Sequence, residues 1–328
     1  MKLDKDTKNS LNSTRIQKNN RIFRPEYGTL IMLVLAIILG SVLSPYFRDL
    51  YFVFDSTSLY VEYGIVALML TLVIISGQID LSVASTMAFV GCFTAFMYEQ
   101  GMHFIPAIFV GLCVGTAFGL FNGWIITYFE LPSIIVTIGT LSLFRGMAQV
   151  LLGDHSIGHF PDWFVGIDFQ YLWFIPVPFL IFLGLFIVMT VLLNKTIFGR
   201  HIFAIGTNEK AARYSGIPVK RIKMILFGLS GTFAAAGGIM MISRLGVARY
   251  NLAAGGELDV VTIALLGGTD INGGRGNVVG TFIAFLVLVS LKTGMSVANI
   301  KIENQLTVLG FLLIFAIVLS NYIYGKRQ

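Results

Sequence analysis

The sequence predicts an all-α polytopic membrane protein of about ten transmembrane helices, in two inverted five-helix halves with both termini cytoplasmic. Three observations carry this expectation. The 328 residues are 56% hydrophobic and only 12% charged, with a mean hydropathy of +0.81, whereas soluble domains carry roughly 25% charged residues. Apolar runs long enough to cross a bilayer recur along the chain. The Lys and Arg residues gather in the segments that this spacing places on one side.

A span needs about 20 apolar residues, because a helix rises about 1.5 Å per residue across roughly 30 Å of hydrocarbon. Ten candidate segments follow, at 28–45, 58–76, 80–98, 105–128, 132–152, 171–193, 222–243, 257–269, 277–295 and 304–322. The eighth is short for a full span. Residues 1–27 form a polar tail with Lys2, Lys5, Lys8, Arg15, Lys18, Arg21 and Arg24. Residues 28–322 form the membrane domain, and 323–328 a short tail with Lys326 and Arg327. The run from Gly28 to Leu43 reads as a span or signal anchor, without a small-residue cleavage site. Counting crossings from a cytoplasmic N-terminus returns both the central basic loop and the C-terminus to that side. The loop Gly153–Gln170 falls outside, and it has Asp154, Asp162 and Asp168 but no Lys or Arg.

The fourth segment carries Gly111, Gly115, Gly119 and Gly123 at four-residue spacing. On a helix they form one smooth ridge for a closely packed neighbour, in this chain or in a second subunit. Gly228, Thr232 and Ala235 make a small-residue face in the seventh segment, and Gly276 and Gly280 repeat the spacing at the ninth. Gly77-Gln78-Ile79-Asp80 opens the third segment and Gly256-Glu257-Leu258-Asp259 the eighth. An odd number of crossings separates these two similar stretches, as an inverted repeat requires.

Residues 194–223 are the one long polar interruption in the apolar middle of the chain, with Lys195, Arg200, Lys210, Arg213, Lys220, Arg221 and Lys223 against Glu209 alone. Within it, Thr207–Tyr214 has the marks of a short helix. Thr207 or Asn208 can cap it, Glu209 lies in its first turn, and Gly216 and Pro218 stop it. Such an element suits docking between two spans, and its basic residues also serve as an orientation signal.

Chemistry-bearing residues are few. Asp80 sits in an almost unbroken apolar stretch, where a charge costs about 2.5–3.5 kcal/mol on insertion scales. It can cap a half-helix with Ser82 and Ser85 nearby, or line a translocation path. Glu62 and Arg145 also lie in apolar segments, where an ion pair or a pore-facing position would explain each. The glycine-rich stretch Gly267–Gly276 does not match GxxxxGK[ST] or complete GxGxxG, and it reads as a tight, flexible inter-helix turn. Cys92 and Cys113 fall in apolar runs and suggest no disulfide framework. His103, His155, His159 and His201 are scattered, so no metal site is expected. The net charge of +6 orients the chain in lipid and does not suggest a nucleic-acid partner. No segment is large enough for a nucleotide-binding domain, so active transport would draw on an ion gradient or on another polypeptide.

The residues together resemble the permease subunits of bacterial ABC importers for monosaccharides, in the ribose and autoinducer-2 branch. The resemblance runs from about Tyr27 to Tyr322. It rests on Gly77–Val83, Asn122-Gly123, Pro132–Leu141, Gly199-Arg200, Ala204–Asn208, Ala211-Ala212, Ser215–Ile217, Leu265–Gly268 and Gly273–Gly276. Gln78 departs from the glycine common in the family, and the N-terminal tail is longer. The resemblance implies a transport subunit that is not itself an enzyme, in the bacterial inner membrane, forming half of a pore. It implies a partner ATPase holding ATP and Mg, a second permease subunit and a periplasmic sugar-binding protein. It places ATPase coupling at Asn208, Glu209, Ala211, Ala212, Tyr214 and Gly216. Candidates for the translocation path are Gln78, Asp80, Asn122, Thr137, Thr140 and Ser142. The rival reading is an ion-driven transporter using Asp80 and Glu62.

Overall fold

The computed structural model describes residues 25–325. The basic N-terminal tail through Arg24, and Lys326 and Arg327, lie outside the described residues. The helices in order are α1 (Pro25–Leu43), α2 (Leu50–Ser58), α3 (Val61–Ile75), α4 (Val83–Glu99), α5 (Phe104–Tyr128), α6 (Ser133–Leu152), the single turn α7 (Asp162–Val165), α8 (Val177–Lys195), α9 (Ile197–Thr207), α10 (Glu209–Tyr214), α11 (Val219–Leu245), α12 (Gly256–Leu266), α13 (Val278–Val297) and α14 (Ile302–Gly325). A two-stranded hairpin, β1 (Tyr171–Leu172) and β2 (Ile175–Pro176), precedes α8.

Each of the ten apolar segments coincides with a helix, so the all-α membrane fold is present. Among the described residues, α5, α6, α8, α11 and α13 are long and apolar enough to cross a bilayer on their own. The second segment, 58–76, holds α3, and α2 precedes it, the two helices meeting at 65°. Asp49 starts α2 by accepting the Tyr51 N–H at 2.9 Å. Tyr60, with φ −136° and ψ 6°, breaks the helical path before α3. Helix α12 has eleven residues, in keeping with its short apolar run.

Helix α3 is the centre of the bundle. Every residue from Val61 to Ile75 except Tyr63 is buried, as expected of a helix that is apolar all round. It is enclosed by α8, α11, α12 and α13, with α9 at its C-terminal end. Helices α5, α6 and α8 lie outside and expose much of their apolar surface.

The glycine ridge of α5 packs against α11 of the same chain. A methyl group at Gly115 would meet the Gly231 carbonyl and Ala235, and one at Gly119 would overlap the Phe227 carbonyl. Gly123 lies over Met224 and Phe227, while Gly111 turns to Thr94 of α4. Thr116 and Thr232 share a hydrogen bond of 2.8 Å across the crossing. Water drives no association between apolar helices in lipid, so close backbone approach and hydrogen bonds hold them together.

The two aspartates of the short repeated stretch hold different places. Asp80 precedes α4, whereas Asp259 lies in the first turn of α12. At the end of the bundle away from α10, Ile157 and Ala248 exchange two backbone hydrogen bonds, 3.2 and 2.8 Å. Ser243 donates to the Phe164 carbonyl. The loops after α6 and α11 are thus joined.

Gly119→Leu should cost about 3 kcal/mol through overpacking and lower the melting temperature of the detergent-purified protein. Gly184→Leu, at a position with open space around it, should melt like the wild type. Equal melting of both variants would remove the ridge from the account.

Candidate functional site

Lys195 ends α8, and the extended Thr196 turns the chain. The Thr196 hydroxyl accepts the Gly199 N–H at 3.2 Å and donates to the Leu192 carbonyl. Gly199 then lies directly against the Leu193 carbonyl, where no side chain fits. Helix α9 runs from this turn to Thr207, and sequence reasoning did not foresee it. Asn208 caps α10, its Oδ1 accepting the Ala211 N–H at 3.0 Å. Thr207, the other candidate cap, donates instead to the Phe203 carbonyl. Gly216, at φ +82°, ends the element in the left-handed region.

The two neighbouring alanines of α10 part company. Ala211 is exposed, whereas Ala212 is 4% exposed and belongs to the chain's own core. Tyr214 is 92% exposed. The exposed residues of α10 are Lys210, Ala211, Arg213 and Tyr214, and Ala212 helps hold the helix in place. Glu209 faces the protein, 2.7 Å from Lys223 and 3.4 Å from Arg213.

The end of α9 meets a backbone junction. The Gly274 N–H donates to the Ile75 carbonyl at 2.7 Å. A side chain on Gly206 would collide with that same carbonyl and with the Gly274 nitrogen. Gly273, at φ +85°, packs on Gly77. The stretch Gly267–Gly276, expected as a flexible turn, is a packed one. It joins the C-terminal ends of α3 and α9. This junction links residues more than a hundred positions apart, and no local pattern announced it.

Directly beyond Gly77, the buried Asp80 ties three helices together. Its Oδ1 accepts the Ser82 N–H at 3.0 Å and the Ser82 hydroxyl at 2.6 Å. Its Oδ2 accepts the Ser230 hydroxyl of α11 at 2.8 Å. Asn122 of α5 donates to Ser82 Oγ at 2.9 Å. Thr137 donates to the Ser133 and Ile79 carbonyls, and Thr140 to that of Val136. Asp80, Asn122, Thr137 and Thr140 are thus buried and hydrogen-bonded within the chain, although the Asn122 Oδ1 has no hydrogen-bond partner among the described residues. Of the six path candidates, Gln78 is half-buried and Ser142 is exposed on α6.

Glu62, Arg145, Asp259 and Lys292 also have partners, whereas the buried Oε2 of Glu257 accepts no hydrogen bond among the described residues. Glu62 Oε1 accepts from Arg244 Nε at 2.7 Å. Arg145 donates to the Tyr250 and Leu252 carbonyls, fixing the loop between α11 and α12. Asp259 pairs with Lys292 of α13, whose ammonium lies 5.2 Å from the Tyr60 ring centroid and 5.7 Å from that of Tyr63. Sequence reasoning passed over Lys292, although it is the only charged residue in α13.

Between α10 and the turn joining α5 to α6 lies an open crevice of about 400 Å³. Gln78, Thr127 and Ser133 line one part of it, and Glu130, Arg213 and Lys220 another. It is the polar cavity beside the junction.

Comparison with known proteins adds the family. Residues 52–317 match the family described as branched-chain amino acid transport system / permease component. The chain is 34% identical over 299 residues to the autoinducer 2 import system permease protein LsrD of Photorhabdus laumondii subsp. laumondii, covering 89% of this chain and 90% of the relative. Proteins of the same name from Yersinia pestis and Yersinia pseudotuberculosis are 34% identical over 293 residues, 88% of each chain. No solved structure matches.

Asp80→Asn can keep the two Ser82 bonds at Oδ1, but its amide nitrogen must donate to Ser230 Oγ instead of accepting from it. This variant should lower the melting temperature less than Asp80→Ala and retain uptake. Asp80→Ala leaves buried hydroxyls unpaired and should cost about 2 kcal/mol, read as a lower melting temperature. A folded Asp80→Asn protein without uptake would instead assign the carboxylate a charge-carrying role.

Proposed function

This chain belongs to the branched-chain amino acid transport system / permease component family, and from that premise we propose that it is the membrane-spanning subunit of an ATP-driven importer. Its solute is a monosaccharide or related small polyol. The names of the relatives make autoinducer-2 the first compound to test, with ribose beside it. The chain works in a bacterial inner membrane, with residues 1–27 and 323–328 as cytoplasmic tails and 28–322 as the permease. It supplies half of a pore, opposite a second permease subunit. A separate ATPase holds ATP and Mg and hydrolyses the nucleotide, and a periplasmic binding protein delivers the solute.

The observation that carries this reading is the build of the loop 194–223. A six-residue helix presents Ala211 and the almost fully exposed Tyr214 outward, while Ala212 and Glu209 fix its other face. An exposed aromatic beside a small residue on a rigid mount suits insertion into a groove on a partner. Directly behind it, at Gly206 where α9 ends before α10, lies the junction with Ile75 and Gly274. Displacement of the docked helix therefore reaches α3 and the Asp80 loop through backbone contacts. When ATP binding draws the ATPase pair together, the two permeases rock and the solute passes inward. Both carboxylates that an ion-driven transporter would use are occupied: Glu62 by Arg244, and Asp80 by Ser82 and Ser230.

Gentle extraction from native membranes should copurify an ATPase subunit, identified by mass spectrometry. Tyr214→Ala should reduce its recovery at least about tenfold, the scale of an aromatic anchor at an interface, and Ala211→Arg should abolish it. The permease should stay folded in both cases. Unchanged recovery with both variants would overturn the docking assignment. A solitary oligomer across several mild detergents would overturn the importer reading.

A further inference from the structure

Glu130 is the only Asp, Glu, Lys or Arg between Glu99 and Arg145. It stands in the short turn between α5 and α6, at φ +54°. A non-glycine residue in that region is strained, so the turn is held there by its surroundings. Its carboxylate spans the mouth of the crevice, 3.7 Å from Lys220 of α11 and 4.0 Å from Arg213 of α10. Arg213 therefore stands between two carboxylates on different bodies: Glu209 of its own helix at 3.4 Å, and Glu130 across the gap.

The two halves of this cluster differ. Glu209 and Lys223 are 2.7 Å apart, and the Lys223 side chain is only 10% exposed. That pair fastens α10 to α11. The contacts of Glu130 are longer, and all three side chains are more than half exposed. Exposed pairs contribute little, so a cycling protein can make and break these contacts. Beyond Glu130 the chain is stiff. Pro132 directly precedes α6, and Ser133 at its first turn accepts the Ile79 N–H at 3.0 Å. A pull on Glu130 thus acts on the N-terminal end of α6 and on the loop that contains Asp80.

We propose that Glu130 is a positioning residue for transport, the latch through which the docking helix moves the α5–α6 turn and opens or closes the crevice. The proposal rests on the importer reading above and adds a second route, independent of the glycine junction, from α10 into the bundle. It requires the charge of Glu130 and not its bulk.

The test uses the complex purified with its ATPase, reconstituted in proteoliposomes. Uptake of labelled autoinducer-2, and of ribose in parallel, is measured together with ATP hydrolysis. Glu130→Gln should keep assembly and hydrolysis but lower solute moved per ATP by up to about fivefold, the factor given by about 1 kcal/mol of lost ion pairing. Glu130→Asp should retain most of the coupling. Glu130→Lys should lower it further, and adding Lys220→Glu should restore part of it. An unchanged ratio in Glu130→Gln and Glu130→Lys overturns the latch, as does a parallel fall in hydrolysis and uptake, which marks a merely structural residue. Wild-type uptake without ATP hydrolysis is the separate result that overturns the importer reading itself.

Discussion

The carbonyl oxygen of Ile75 is one of the most crowded backbone atoms among the described residues. It receives the Gly274 N–H, and Gly206 lies directly on it. Helix α3 must end there for Asp80 to reach Ser230, and α9 must end there for α10 to stand where it does. No side chain larger than hydrogen fits at Gly206. The helices around α3 gain little from excluding water in lipid, so contacts of this closeness position them. The same logic sets α5 on α11, where Gly115, Gly119 and Gly231 bring two backbones together.

Features governed by neighbours in sequence were legible before the structure. The Asn208 cap and the Gly216 stop follow from interactions over three or four residues, and both occur as read. The apolar runs follow from lipid as solvent, and each lies on a helix. Features governed by contacts between distant segments were not legible. The junction draws on residues 75, 77, 206, 273 and 274, and each looks like an ordinary turn glycine or helix end on its own. Helix α10 is too short for its periodicity to tell the buried Ala212 from the exposed Ala211. Lys292 was lost because one charge among many apolar residues barely moves a segment's average, although its cost in lipid demands a partner. The polar path candidates were chosen by residue type. In a dry bundle, buried hydroxyls and amides first satisfy the protein's own backbone.

The distribution of ion pairs divides the bundle mechanically. Away from α10, the pairs Glu62–Arg244 and Asp259–Lys292 are short and have little exposure. Arg145 fixes the loop between α11 and α12 by two carbonyls. Breaking one partner of such a pair costs about 3–5 kcal/mol. These contacts brace α3, α11, α12 and α13 into one body. At the α10 end, the cluster around Glu130 is longer and wetter, and it surrounds a cavity instead of filling one.

A transporter driven from one side needs this asymmetry. Stiff coupling throughout would pass a push at α10 to the whole chain as rigid-body motion, with no change between helices. Soft coupling throughout would dissipate the push locally. Here the glycine junction gives a stiff route from α9 to α3, while the exposed ion pairs give a compliant one from α10 to α6. Under the proposed docking at α10, one displacement of that helix would move α3 and α6 by different amounts. The Asp80 loop joins those two routes, since Ile79 bonds Ser133 on one side and Gly77 packs on Gly273 on the other. Relative motion between α3 and α6 must strain or reorder that loop. That gives a physical reason for a buried carboxylate there: three hydrogen bonds to Asp80 restore a single geometry after each excursion, where an apolar contact would permit several.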